Sequence, residues 1–173
     1  MNGASYEDLK EHRDDENDMV ALFSRIYDGH MPSLRISDWR NAFVGKTKTM
    51  NEIDLKKGIM IRIIKKNQKK DTRDIIPLPE SLIKFIKDRK IKGELFPDMS
   101  VTDIDNMVKK VFGEKKCTPH YWRSMYSVTI LTKMKTKAEI EEALRVMDHS
   151  IKTNNAYYNK QSSSAYQNLL GGK

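Results

Sequence analysis

Near its C-terminus the chain reads MDHSIKTNNAYYNK, residues 147–160, where His149 is followed eight and nine residues later by the adjacent Tyr157 and Tyr158. A phenol can attack as a nucleophile and an imidazole can move its proton. Successive residues on a helix differ in direction by about 100°, so the two rings cannot serve one site equally. Adjacent aromatics on a short amphipathic helix otherwise mean one buried and one half-exposed ring. In TPHYWRSMYS, His120 and Arg123 stand three apart near a helix start, which puts both on one face. Arg35 in SLRISDW and the lysines of KKNQKKDT complete the set of cations. Guanidiniums fork onto phosphate or carboxylate oxygens and keep their charge at every accessible pH.

The elements that must position these groups are readable in outline. From about Tyr6 to Tyr27, Met19, Val20, Leu22, Phe23, Ile26 and Tyr27 recur at helical spacing and predict one helix. Pro32 suits the first turn of a second, running to about Phe43, and VGKTKTMNEIDLKKG reads as a turn-rich connection. IMIRII (59–64) and RDIIPLP (73–79) are β-branched and flank the lysine-dense KKNQKKDT, which predicts an antiparallel hairpin with a long basic loop. Pro77 and Pro79 put its second strand at an edge or end it there. PESLIKFIKDRK reads as a short helix opening at Pro79 and Glu80, and KGELFP as a connection. Four helices are expected beyond it: about 100–112 capped by Ser100 or Thr102, 118–134 opened by Thr118 and Pro119, 136–147 capped by Thr136, and 150 or 153 to 160.

The 173 residues suit one domain with a real core. Residues 1–18 form an acidic segment with seven carboxylates and two basic groups, so the remaining 30 basic against 17 acidic residues make the body strongly cationic. Such a balance favours phosphate backbones, and with no amphipathic anchor nucleic acid is the expected partner rather than a membrane. The single Cys117 forms no intrachain disulfide, and no leader or apolar span is seen, so an intracellular, reducing compartment is expected. Zinc spacing, a P-loop and glycine-rich phosphate loops are absent from the sequence, so no metal, nucleotide or other cofactor is called for.

Five blocks taken in order resemble the tyrosine recombinases, or phage integrases. SLRISDW is similar to the family's Gly-Leu-Arg-Ile-Ser-Glu-Leu block, and IRIIKKNQKKDTRDIIPLP to its strand, lysine turn and second strand. ELFP follows; then TPHYWR is similar to Thr-Pro-His-x-x-Arg, and MDHSIKTNNAYY to the Leu-Gly-His-Ser block that ends in the nucleophile. The resemblance implies catalytic roles for Arg35, Lys66, His120, Arg123 and His149. Its usual nine-residue spacing after His149 implies Tyr158 as nucleophile, whereas an alignment one residue shorter selects Tyr157. Counting from Pro77 moves the lysine from Lys66 to Lys69, with Lys65 on the family's glycine. Asp38 stands where the family often carries an acidic residue that orients a cation. Pro32-Ser33, Asp148 and Trp122 depart from the pattern, and the first block is similar to those of integrases from eukaryotic viruses and mobile elements.

The fold this implies is α+β and α-rich, a helical bundle with a small antiparallel sheet, as in the catalytic domains of DNA breaking and rejoining enzymes. It would occupy residues 19–160, leaving 161–173 as a tail and a candidate protomer contact. Family members carry a preceding DNA-binding domain for which no room remains before Arg35, so a fragment or minimal form is expected. The implied activity is site-specific recombination of double-stranded DNA by a homo-oligomer, a tetramer on DNA, located with that DNA in a nucleus, nucleoid or viral factory. Type IB topoisomerase-like relaxation and a non-catalytic DNA-binding module are the alternatives.

Overall fold

The computed structural model describes residues 3–66, 70–113, 115 and 117–147. Along them run α1 (Tyr6–Glu11), α2 (Asp18–Ile26), α3 (Ile36–Arg40), β1 (Ala42–Val44), β2 (Asn51–Asp54), β3 (Ile59–Lys66), β4 (Lys70–Pro77), α4 (Glu80–Asp88), β5 (Gly93–Glu94), α5 (Val101–Phe112), α6 (Pro119–Thr129) and α7 (Lys137–Val146). A short 3-10 turn, Leu131–Lys133, links α6 to α7. The architecture is α+β, and one small sheet is covered by helices.

Local chemistry sets most helix starts. Ser100 and Asp103 exchange hydrogen bonds in a capping box at α5, Thr118 accepts from the Tyr121 amide ahead of Pro119, and Thr136 accepts from the Glu139 amide at α7. The single helix expected over Tyr6–Tyr27 is instead two. A Ser5–Asp8 capping box starts α1, and Asn17 restarts the chain by accepting from the Met19 and Val20 amides. The acidic residues between them have no apolar face to bury, so turn chemistry wins there. α1 nevertheless packs on the body through buried Leu9, a hydrogen bond from the Tyr121 hydroxyl to the Ala4 carbonyl (2.7 Å), and the Lys115–Asp8 pair (2.9 Å).

Pro32 opens no helix. Residues 32–35 lie outside any helix or strand, Arg35 is the N-cap of α3 with extended backbone, and α3 stops at Arg40, well before Phe43. The cause lies beyond the segment itself: the Tyr27 hydroxyl, at the end of α2, donates to the Leu34 carbonyl, and Arg123, 90 residues further along, donates to the Ser33 carbonyl. The end expected of that helix is instead β1, and the stretches read as connections hold β2 before the hairpin and β5 after it. The hairpin is present, and its strands are longer than expected, paired from Ile59–Pro77 to Lys66–Lys70, so most of the lysine-dense text is strand. The sheet order is β4-β3-β2-β1-β5, antiparallel except for β1–β2, and β4 is an edge strand ending at Pro77. Met60, Ile53 and Ile76 of the sheet pack in one core with Phe23, Trp39, Phe85, Ile104 and Trp122 of the helices. The helix expected from 150 or 153 to 160 and the tail 161–173 lie outside the described residues.

Candidate active site

Arg123 joins three segments of the chain. It follows Trp122, which is wholly buried and donates its indole N–H to the Cys117 carbonyl (3.0 Å), so the first turn of α6 is anchored in the core. From there the Arg123 guanidinium, also buried, donates through Nη1 to the Ser33 carbonyl (2.7 Å) and through Nη2 to the Met147 carbonyl (2.9 Å). Ser33 stands two residues before Arg35, and Met147 two residues before His149. The buried Leu34 and the Tyr27 hydroxyl at its carbonyl (3.0 Å) hold Arg35 at the head of α3, where its side chain is exposed. Burial raises the Tyr27 phenol above its ordinary range against the opposing charge of Arg123, so Tyr27 remains a hydroxyl donor.

A second buried arginine, Arg62 on β3, was not among the expected site residues. Its Nη1 donates to the Val146 carbonyl (2.6 Å) and lies 3.4 Å from Asp38 Oδ2. Its Nη2 donates to Asp74 Oδ2 (2.8 Å) and to the Arg145 carbonyl (3.2 Å). Arg62 and Arg123 together therefore cap three successive carbonyls, 145, 146 and 147, at the end of α7, where the helix dipole favours cations. Asp74 faces Arg62 across the β3–β4 pair and also meets the Arg145 guanidinium. Asp38 is thus an ion-pair partner of Arg62 at 3.4 Å. Asn51 ties the same corner together, donating to the Asp38 carbonyl (2.9 Å) and accepting from the Ile63 amide (2.8 Å). One signal in the sequence pointed here: in IMIRII the alternation puts Arg62 on the face of buried Met60.

His120 lies one turn before Arg123 on α6, yet it is exposed, whereas Arg123 is buried under the Ser33 and Met147 carbonyls. Lys66 closes β3 opposite Lys70, and Lys65 precedes it opposite Asp71. Lys69, Asp148, His149, Tyr157 and Tyr158 lie outside the described residues. All four described tyrosines have phenols raised by burial, Tyr6 and Tyr126 to about 12 and Tyr27 and Tyr121 also upward. None of these four is suited to supply a phenolate at neutral pH. Among the described residues no cluster of three or more His, Cys, Asp or Glu could hold a metal ion, and no helix is long and apolar enough to cross a membrane.

This arrangement of helices and sheet has a counterpart among solved structures. The chain matches the crystal structure of XerA recombinase with a TM-score of 0.66 and 14% sequence identity, covering 96% of this chain and 61% of that one. The fold resembles that of XerA recombinase. The likeness is one of backbone architecture, and this chain spans about three fifths of the length of XerA recombinase. No protein-family model matches the sequence, and no curated protein matches it.

Proposed function

We propose that this chain is the catalytic part of a tyrosine recombinase, cutting and rejoining double-stranded DNA through a 3′-phosphotyrosine. The observation that carries the reading is the double hold of Arg123 on Ser33 and Met147, which draws the Arg35 segment and the approach to His149 to one guanidinium. The XerA-like fold and the cationic body support it.

In this reading Arg35 and Arg123 hold the non-bridging oxygens of the scissile phosphate, and His149 adds a third donor. The Tyr158 hydroxyl attacks phosphorus and its proton leaves by way of His120. The bond from phosphorus to the 5′ oxygen breaks, and Lys66 supplies the proton that oxygen takes up. One phosphodiester is exchanged for another, so the energy of the bond is kept and rejoining is the same step reversed. The buried hold on Arg123 fixes the plane of the guanidinium in advance without removing its charge, which is the preorganisation such stabilisation needs. Strand exchange between two duplexes would take place in a tetramer on DNA.

The test is covalent capture on a nicked suicide duplex in the presence of EDTA. An adduct resistant to detergent is expected, with peptide mapping to Tyr158; Tyr158→Phe abolishes it and Tyr157→Phe does not. The reverse pattern moves the nucleophile to Tyr157, and no adduct with the unmutated chain overturns the reading.

A further inference from the structure

We infer that Arg62 is a positioning residue, which locks the hairpin bearing Lys66 to the end of α7 and so sets the leaving-oxygen side of the site against the phosphate-holding side. This rests on the proposed function. Arg62 touches neither element by accident of surface contact, since its side chain is buried and its four partners come from three places. Asp38 belongs to the helix headed by Arg35, Asp74 to the partner strand, and the carbonyls of residues 145 and 146 to the helix that leads toward His149.

A guanidinium is costly to bury unless its charge is matched. Two carboxylates match it here, and the carbonyl end of α7 receives the positive face. Among the described residues Arg62 Nε has no partner, so even the favourable geometry leaves one buried donor unmet. A residue whose only work was to fill the space under α7 would be better replaced by an apolar chain. What an arginine adds is a fixed distance and angle between strand and helix. Lys66 is four residues further along the same strand, about 13 Å at the usual rise and at a position of the same parity as Arg62. A shift of the strand against α7 therefore displaces Lys66 relative to Arg123 and the start of the His149 segment.

Two measurements on the full chain test this, with Arg62→Met and Arg62→Lys. The first needs no catalysis: native-state hydrogen exchange at the Met147 amide, which is bonded to the Ala143 carbonyl at 2.9 Å, against the Ile104 amide at the head of α5, bonded to the Ser100 carbonyl. Arg62→Met is expected to speed exchange at Met147 by about tenfold and leave Ile104 unchanged. Equal change at both, or none at Met147, overturns the lock. The second compares single-turnover cleavage of ordinary DNA with a 5′-bridging phosphorothiolate at saturating protein. A thiolate departs without a proton, so a displaced Lys66 harms only the oxygen substrate. Arg62→Met is expected to lose about 100-fold on the oxygen substrate and less than about fivefold on sulfur, with Arg62→Lys between it and the unmutated chain. Equal losses on both substrates overturn the positioning role. If the unmutated chain forms no adduct on either substrate, the functional reading falls, and the exchange experiment alone decides whether Arg62 locks strand to helix.

Discussion

Two pairs of basic residues stand at this corner of the molecule and are treated in opposite ways. Arg62 and Arg123 are buried and donate to main-chain carbonyls, whereas Arg35 and His120 are exposed on the ends of their helices. The buried pair defines the path of the backbone, holding residues 33 and 145–147 in place. The exposed pair is presented to solvent from that fixed backbone. Residue type alone does not show which cations hold the backbone; burial and the identity of the acceptors do, and under the proposed function Arg123 also faces the phosphate. Substitutions at the buried pair should therefore cost far more stability than substitutions at the exposed pair.

The largest losses belong to the buried pair. Arg62→Ala removes the buried cation between Asp38 and Asp74, leaving Asp74 with Arg145 and the carbonyl end of α7 without its capping charge, and is expected to cost about 3–5 kcal/mol in denaturant unfolding. Arg123→Ala leaves the Ser33 and Met147 carbonyls without these donors and opens a cavity beneath them, with a loss of similar size. A cost under about 1 kcal/mol at either position would mean that these arginines do not organise the backbone.

Asn51→Ala comes next. Its amide serves the Asp38 carbonyl and the Ile63 amide at once, and both groups lose a partner, so about 2–3 kcal/mol is expected by chemical denaturation. Asn51→Asp discriminates further, because the carboxylate keeps the acceptor for Ile63 but has no N–H for Asp38. It should recover only part of the loss, and full recovery would show that the bond to Asp38 contributes nothing.

How much of this corner was legible in the sequence follows from the same distinction between local and distant partners. The starts of α4 to α7 were readable because Pro79, Ser100, Thr118 and Thr136 act within one turn of their own chain. The hairpin was readable because its pattern is long. β1, β2 and β5 are two to four residues each, too short for alternation to register, and they exist because neighbours pair with them. The blocks holding Arg35, His120 and Arg123 stand out in the text, but that Arg123 would reach Ser33 and Met147 is a tertiary fact. Arg62 is the extreme case: its acceptors on α7 lie 83 and 84 residues away.

Asp8 offers a way to break the rule that structural charges are buried, since it lies near the surface and still fastens α1. The Ser5 amide, donating at 2.8 Å, and the Lys115 ammonium at 2.9 Å hold its carboxyl below the ordinary value. Because the folded pKa is depressed, the stabilisation is present above the unfolded value near 3.8 and is lost as the pH falls through the folded value. The difference in stability between the unmutated chain and Asp8→Asn should therefore be level from pH 7 to 5 and close below about pH 4. It should also be smaller than that of Asn51→Ala. Salt would weaken the Lys115 share and leave the Ser5 share. A difference that persists at pH 2 would assign the effect to packing of the side chain rather than its charge.

The smallest effect on stability is expected for Arg35→Ala, and it sharpens the comparison most. Arg35 is exposed at the head of α3, and its own carbonyl, which accepts from the Asp38 amide at 3.0 Å, is unchanged by the substitution. The backbone there is held by the buried Leu34 and by the hydrogen bonds from Tyr27 and Arg123. The variant should therefore unfold within about 0.5 kcal/mol of the unmutated chain. Under the proposed function the same substitution removes one guanidinium from the charge that builds on the phosphate, and adduct formation on the suicide duplex should slow by about 100-fold or more. Raising the protein concentration separates binding from chemistry. If Arg35 only attracts DNA, saturation restores the rate; if it stabilises the transition state, the defect stays. An Arg35→Ala chain that is as stable as the original and cleaves as fast at saturation would remove Arg35 from the site, while leaving the buried pair and its hold on α7 untouched.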